Sequence, residues 1–149
     1  MKVDAIAAPL GAKISSVDLR RIDETDFIAI NELFVKHHVL VFPGQDLLPE
    51  DQMAFAARWG KLLRHPYAGM EQYPDIIELR NVGKARDINQ HWHSDMTYNP
   101  APPKLTMLYA LEVPDIGGDT AFSNQILAYK ALSDGLRSVV DGLTAQTRK

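Results

Sequence analysis

The sequence predicts an α+β domain, and three observations carry the prediction. Helical periodicity appears at residues 23–38 and 48–62 and returns at 124–132 and 134–143. β-rich runs stand at 38–44, 74–81 and 103–114, the last alternating strictly between two sets of side chains. No repeat, low-complexity tract or Ser/Gly linker divides the 149 residues, of which 46% are hydrophobic. That is enough to bury one sizeable core, so a single domain over 1–149 is expected, built on an antiparallel sheet.

The first helix is read from DETDFIAINELFVKHH, where Phe27, Ile30, Phe34 and His37 share a face, Leu33 sits beside them, and Asp23 or Thr25 can cap the start. It runs into HVLVFPG, a short apolar run closed by Pro43 and Gly44, which reads as a buried strand; His37 and His38 at the junction read as structural. LPEDQMAFAARWGKL follows as a second helix, with Pro49 in its first turn, Gln52, Phe55, Ala56 and Trp59 on one face, and Gly60 as its C-cap. PDIIELRN and PKLTMLYALEVP read as strands, the latter setting Leu105, Met107, Tyr109 and Leu111 against Thr106, Leu108, Ala110 and Glu112. DIGGDTAF is a Gly-rich turn leading to another short strand. Ser123 and Ser133 are then placed to cap helices through NQILAYKAL and DGLRSVVDGL.

Composition excludes several classes of function. The formal net charge is −3 and the basic residues are scattered, so no field favours nucleic acid. With no cysteine there is no disulfide framework and no thiolate metal site, which is compatible with a reducing, cytoplasmic setting. Pro9 and Gly11 break the apolar stretch near the start, so no signal peptide is expected, and no window approaches the roughly 18 apolar residues of a membrane span.

Chemistry concentrates in QHWHSDMTY, residues 90–98, where His91, His93 and Asp95 alternate. Two histidines and a carboxylate on one face of a metal, with positions left open, is the non-haem iron(II) arrangement. On an extended strand residues i and i+2 point to one face about 6.6 Å apart, a span two ligands can close over one ion. His91 and Asp95 would then lie roughly 13 Å apart, so all three meet only at a bulge or sharp bend. A pair is therefore expected, either His91 with His93 or His93 with Asp95; a polar strand end is the plainer reading of the same residues.

The longer stretch HWHSDMTYNPAPPKLTMLYALEVPDIGGDTAFSNQILAYKALSDGLRSVVDGL resembles the taurine dioxygenase / 2,4-dichlorophenoxyacetate dioxygenase (TauD/TfdA) family of iron(II)- and 2-oxoglutarate-dependent oxygenases. Trp-His-x-Asp, then Pro-Pro, then Gly-Gly-Asp-Thr, in that order and spacing, carry the likeness. PLGAKISSVDL and HHVLVFPGQDLLPEDQMAFAARWGKL extend it over nearly the whole chain, as an N-terminal portion of such a domain. The resemblance implies a double-stranded β-helix (jelly-roll) core with flanking helices. His93 and Asp95 match the first two iron ligands, and Thr120 matches the hydroxyl that bonds a 2-oxoglutarate carboxylate. Asn89 matches a polar residue lining the cosubstrate pocket. His65 matches a substrate-contacting histidine, Tyr67 is offset by one place from a substrate tyrosine, and Met96 joins these two in the substrate-binding set. The implied cofactors are Fe(II) and 2-oxoglutarate as cosubstrate. The implied partners are dioxygen and a small anionic organic substrate, hydroxylated with release of succinate and carbon dioxide.

The family's second histidine and the arginine that pairs with 2-oxoglutarate have no match: no histidine follows His93, and Arg148 does not fit the motif. Two ligands where an open site ordinarily uses three imply a chain that is weak or inactive alone. A truncated jelly roll would also expose strand edges and apolar surface and so admit homo-oligomers. The competing expectations are a non-catalytic remnant that self-associates through those edges, and a zinc module built on His91, His93 and a distant carboxylate.

Overall fold

The computed structural model describes residues 1–64, 68–80 and 91–146. They fall into two compact units, one of residues 1–47 with 110–144 and the other drawn from 48–109 and 145–149.

The first unit opens with a hairpin that the hydrophobic periodicity did not announce. β1 (Lys2–Ala5) pairs antiparallel with β2 (Ala12–Ser15), Val3 opposite Ile14. The connection closes through Gly11, whose φ of 95° a side chain would strain, and whose carbonyl accepts from the Ile6 N–H at 2.9 Å. Four-residue strands are too short for a period-two signal, yet Ala12 and Ile14 alternate inward and are fully buried. β3 (Leu40–Val41) pairs with β2 in parallel, so the three-stranded sheet is mixed rather than antiparallel as expected. Its residues are half-buried and exposed, which corrects the buried strand read from HVLVFPG.

α1 (Glu24–His37) matches its expected span, and Asp23 is its N-cap, accepting from the Asp26 N–H at 2.8 Å. Ile30 on the expected apolar face is fully buried and forms the core of this unit with Ala12, Ile14, Leu19 and Leu47. The helix ends at His38, left-handed at φ 62°, whose N–H donates to the Phe34 carbonyl at 2.7 Å. Next door, the His37 carbonyl accepts from the Gly11 N–H at 2.8 Å. Both histidines thus serve the helix-to-strand junction. Gln45 ties the segment after β3 to residues 17–19: its Oε1 accepts from the Leu19 N–H and its Nε2 donates to the Val17 carbonyl, each at 2.9 Å.

Later in the same unit, Asn124 rather than Ser123 caps the helix Gln125–Lys130, accepting from the Leu127 N–H at 3.0 Å. The Asn124 amide also donates to the Pro9 carbonyl, a bond no hydroxyl at 123 would replace. Ser133 caps the helix Asp134–Val140 as expected. The Tyr129 hydroxyl joins the two helices by donating to Asp141 at 2.6 Å, which raises the phenol pKa. Around these helices Leu111, Val113, Ile116 and Leu143 stand exposed, Ile116 at 93%. Apolar surface of this extent is what a sheet or helix layer ordinarily covers.

The second unit begins with a helix over Pro49–Ala56, continued by a 3-10 turn over Ala57–Trp59 and stopped at Gly60, φ 133°. Pro49 occupies its first turn as expected, and Asp51 accepts from the Leu48 N–H at 3.0 Å. Phe55 is buried and meets Trp59 edge to face at 5.0 Å. Beyond it the expected strands are absent among the described residues: Ile77 forms only an isolated bridge with Gly69, and 103–114 forms no ladder. The alternation survives as exposure over 103–110, with Leu105, Met107 and Tyr109 half-buried and Thr106, Leu108 and Ala110 exposed, but Leu111, expected on the side of Leu105, is exposed. A side-chain period of two needs only an extended backbone, whereas a strand needs a partner to bond.

Candidate metal site in the second unit

The expected strand through His91, His93 and Asp95 is not formed. The chain bends at His91 and turns over residues 95–98. Met96 takes a left-handed φ of 51°, unusual for an unbranched side chain, and its carbonyl accepts from the Asn99 N–H at 2.9 Å. Without a regular strand, the convergence of His93 and Asp95 rests on local hydrogen bonds.

His93 and Asp95 do converge: Nε2 and Oδ1 are 3.3 Å apart. Ligand bonds of about 2.1 Å at a right angle set adjacent donor atoms about 3.0 Å apart, so the pair is spaced to share one ion. The remaining polar atom of each side chain is engaged. His93 Nδ1 lies 2.7 Å from the His91 carbonyl oxygen, which can only accept, so Nδ1 donates there and Nε2 is the nitrogen turned toward Asp95. Asp95 Oδ2 accepts from the Thr106 hydroxyl at 2.7 Å. Histidine with its second nitrogen on a carbonyl, beside a hydrogen-bonded carboxylate, is the usual outer support of a metal site. Both side chains are nearly half exposed, so an ion could reach them from solvent.

The donor set therefore fits a hard-to-borderline divalent ion as two of its ligands. No group of three His or carboxylate side chains converges among the described residues. His91 contributes its main chain rather than its ring to the pair. His65, Tyr67 and Asn89, and with them Arg148, lie outside the described residues. Met96 is half-buried in the turn directly after Asp95. Thr120 belongs to the first unit, where it is exposed. It follows Gly117 and Gly118, at φ 80° and 72°, and a Cβ on Gly118 would come within 3.0 Å of Pro114. The chain bends at Asp115 and Ile116, and no strand follows the glycines. Sequence reasoning missed Thr106: the alternation showed that it faces away from Leu105 and Met107, but nothing in the spacing tied it to a carboxylate eleven residues earlier.

Each unit also carries a charged network. In the second unit the Tyr73 hydroxyl donates to Glu50, which lowers the carboxyl pKa and raises that of the phenol. In the first, Arg20 bonds Asp18 through side chain and main chain and holds its carboxyl below the usual range. All of these groups are exposed enough for solvent to screen them, and they read as surface supports. Among the described residues no helix is long and apolar enough to cross a membrane.

Comparison with known proteins places these features in context. Residues 2–148 match the family described as taurine catabolism dioxygenase TauD, TfdA family. An (S)-phenoxypropionate/alpha-ketoglutarate-dioxygenase of Sphingobium herbicidovorans is 33% identical over 144 residues, which are 93% of this chain and 50% of that protein. An alpha-ketoglutarate-dependent 2,4-dichlorophenoxyacetate dioxygenase of Cupriavidus pinatubonensis is 33% identical over 169 residues, 97% of this chain and 58% of the relative. The crystal structure of a taurine dioxygenase from Burkholderia xenovorans superposes with a TM-score of 0.79 at 30% identity, covering 95% of this chain and 51% of that one. The chain thus spans about half the length of the relatives it matches.

Proposed function

Since the chain belongs to the TauD/TfdA dioxygenase family, matched along residues 2–148, we propose that it provides the iron-binding His-x-Asp portion of an Fe(II)- and 2-oxoglutarate-dependent dioxygenase. The observation that carries this reading is the 3.3 Å approach of His93 Nε2 to Asp95 Oδ1, with Nδ1 tied to the His91 carbonyl. When bound, iron with 2-oxoglutarate supplies the oxidising chemistry: substrate, 2-oxoglutarate and dioxygen become hydroxylated substrate, succinate and carbon dioxide. The chain's own part would be to hold the ion through His93 Nε2 and Asp95 Oδ1, with the imidazole oriented by the His91 carbonyl.

The jelly-roll core belongs to this proposal, as do the cosubstrate roles of Thr120 and Asn89 and the substrate contacts of His65, Tyr67 and Met96. The substrate proposed is a small organic anion, in keeping with the aryloxy carboxylates named for two relatives. Two protein ligands hold an ion more weakly than three, so the 149-residue chain alone is expected to turn over slowly or not at all.

A second reading, a non-catalytic chain that self-associates, is favoured by the exposed Leu111, Val113, Ile116 and Leu143. Anaerobic titration with iron(II) and 2-oxoglutarate separates the two. The dioxygenase reading expects the visible charge-transfer band of a chelated cosubstrate, lost in His93→Ala. No band, together with metal-independent association in sedimentation, would replace it with the second reading.

A further inference from the structure

Thr106 makes a contact that packing does not require. Its neighbours Leu105 and Met107 turn to the half-buried side of the chain, while Thr106 is exposed and reaches Asp95 across eleven residues. The contact distinguishes the two carboxylate oxygens. Oδ2 accepts the threonine proton at 2.7 Å, whereas Oδ1 lies 3.3 Å from His93 Nε2.

An unrestrained carboxylate rotates about its last torsion and can present one oxygen or both to a cation. We propose that Thr106 is a positioning residue that holds Asp95 to its metal ion through Oδ1 alone. The inference rests on the reading that His93 and Asp95 bind iron. The hydroxyl engages Oδ2 at the short distance of a charge-assisted bond, so chelation through both oxygens would compete with that bond for Oδ2 and for the orientation of the carboxylate plane. One-oxygen binding conserves coordination positions. With His93 the pair then fills two of about six positions rather than three, leaving room for a third protein ligand, a chelating cosubstrate and dioxygen. The hydroxyl also fixes the plane of the carboxylate before the ion arrives, as partners of metal ligands commonly do.

The test is a Mn(II) titration of the full chain followed by electron paramagnetic resonance, on wild type, Thr106→Val, Thr106→Ser and His93→Ala. Valine keeps the shape and removes the donor; serine restores the donor without the methyl. Thr106→Val is expected to weaken Mn(II) binding about 10–100-fold, with Thr106→Ser close to wild type. Infrared difference spectra on adding Mn(II) should show the wide carboxylate splitting of one-oxygen binding in wild type and its narrowing in Thr106→Val. Mn(II) binding by Thr106→Val equal to wild type, or equal weakening by valine and serine, overturns the role of Thr106 while His93→Ala still abolishes binding. If His93→Ala binds as wild type does, or wild type does not bind, the metal reading fails and this inference falls with it.

Discussion

Replacing His91 with alanine discriminates between the oxygenase pair and a zinc module, and the structure sets the expected size of the effect. Its main-chain carbonyl, 2.7 Å from His93 Nδ1, is the only part of His91 placed in the His93–Asp95 arrangement. Alanine retains that carbonyl, so His91→Ala should leave zinc affinity within about twofold of wild type. His93→Ala removes Nε2 from its 3.3 Å approach to Asp95. Loss of a ligand should cost at least what loss of an outer partner does, about 10–100-fold, or roughly 1.4–2.7 kcal/mol. Competition for Zn(II) against a chromophoric chelator at fixed pH measures both variants. If His91→Ala falls as far as His93→Ala, the ring of His91 is a ligand, and the reasoning from its carbonyl is wrong.

Two further expectations follow from the packing and the surface network. Ile30→Ala empties a fully buried position on α1 and should destabilise by about 2–5 kcal/mol, whereas Ile28→Ala on the same helix, where the isoleucine is 52% exposed, should cost about 1 kcal/mol or less. Urea denaturation followed by circular dichroism reads the difference, and equal midpoints would refute the assigned helix face. Tyr73→Phe removes the hydrogen bond to Glu50. The folded Glu50 pKa is depressed, so its stabilisation is present above the ordinary value of 4.5 and lost as pH falls through the lower folded value. The folded Tyr73 pKa is raised, so its share is present below 10.0 and lost as pH rises through the higher folded value. In Tyr73→Phe the Glu50 carboxyl should titrate closer to 4.5 by NMR and the acid limb of stability should soften; an unmoved Glu50 titration would count against the bond.

Residues 23–38 show how far local sequence reaches in this protein. The span of α1 and its apolar face around Ile30 were legible from a 3.6-residue period, whereas the choice of Asp23 over Thr25 as cap and the left-handed stop at His38 came from the folded backbone. Pro49, Gly60 and Ser133 were legible too, because their roles depend on their own backbone positions. Residues 103–114 mark the boundary: their alternation separated two sets of side chains as far as Ala110, but Leu111 is exposed against expectation, and ladder formation depends on a partner that no local pattern names. Motif order likewise sufficed to reach the family. The parallel register of β3 on β2, the amide of Asn124 on Pro9 and the hydroxyl of Thr106 on Asp95 were decided by the folded chain. Each joins groups distant in sequence, and such contacts arise only when three-dimensional packing brings the two segments together.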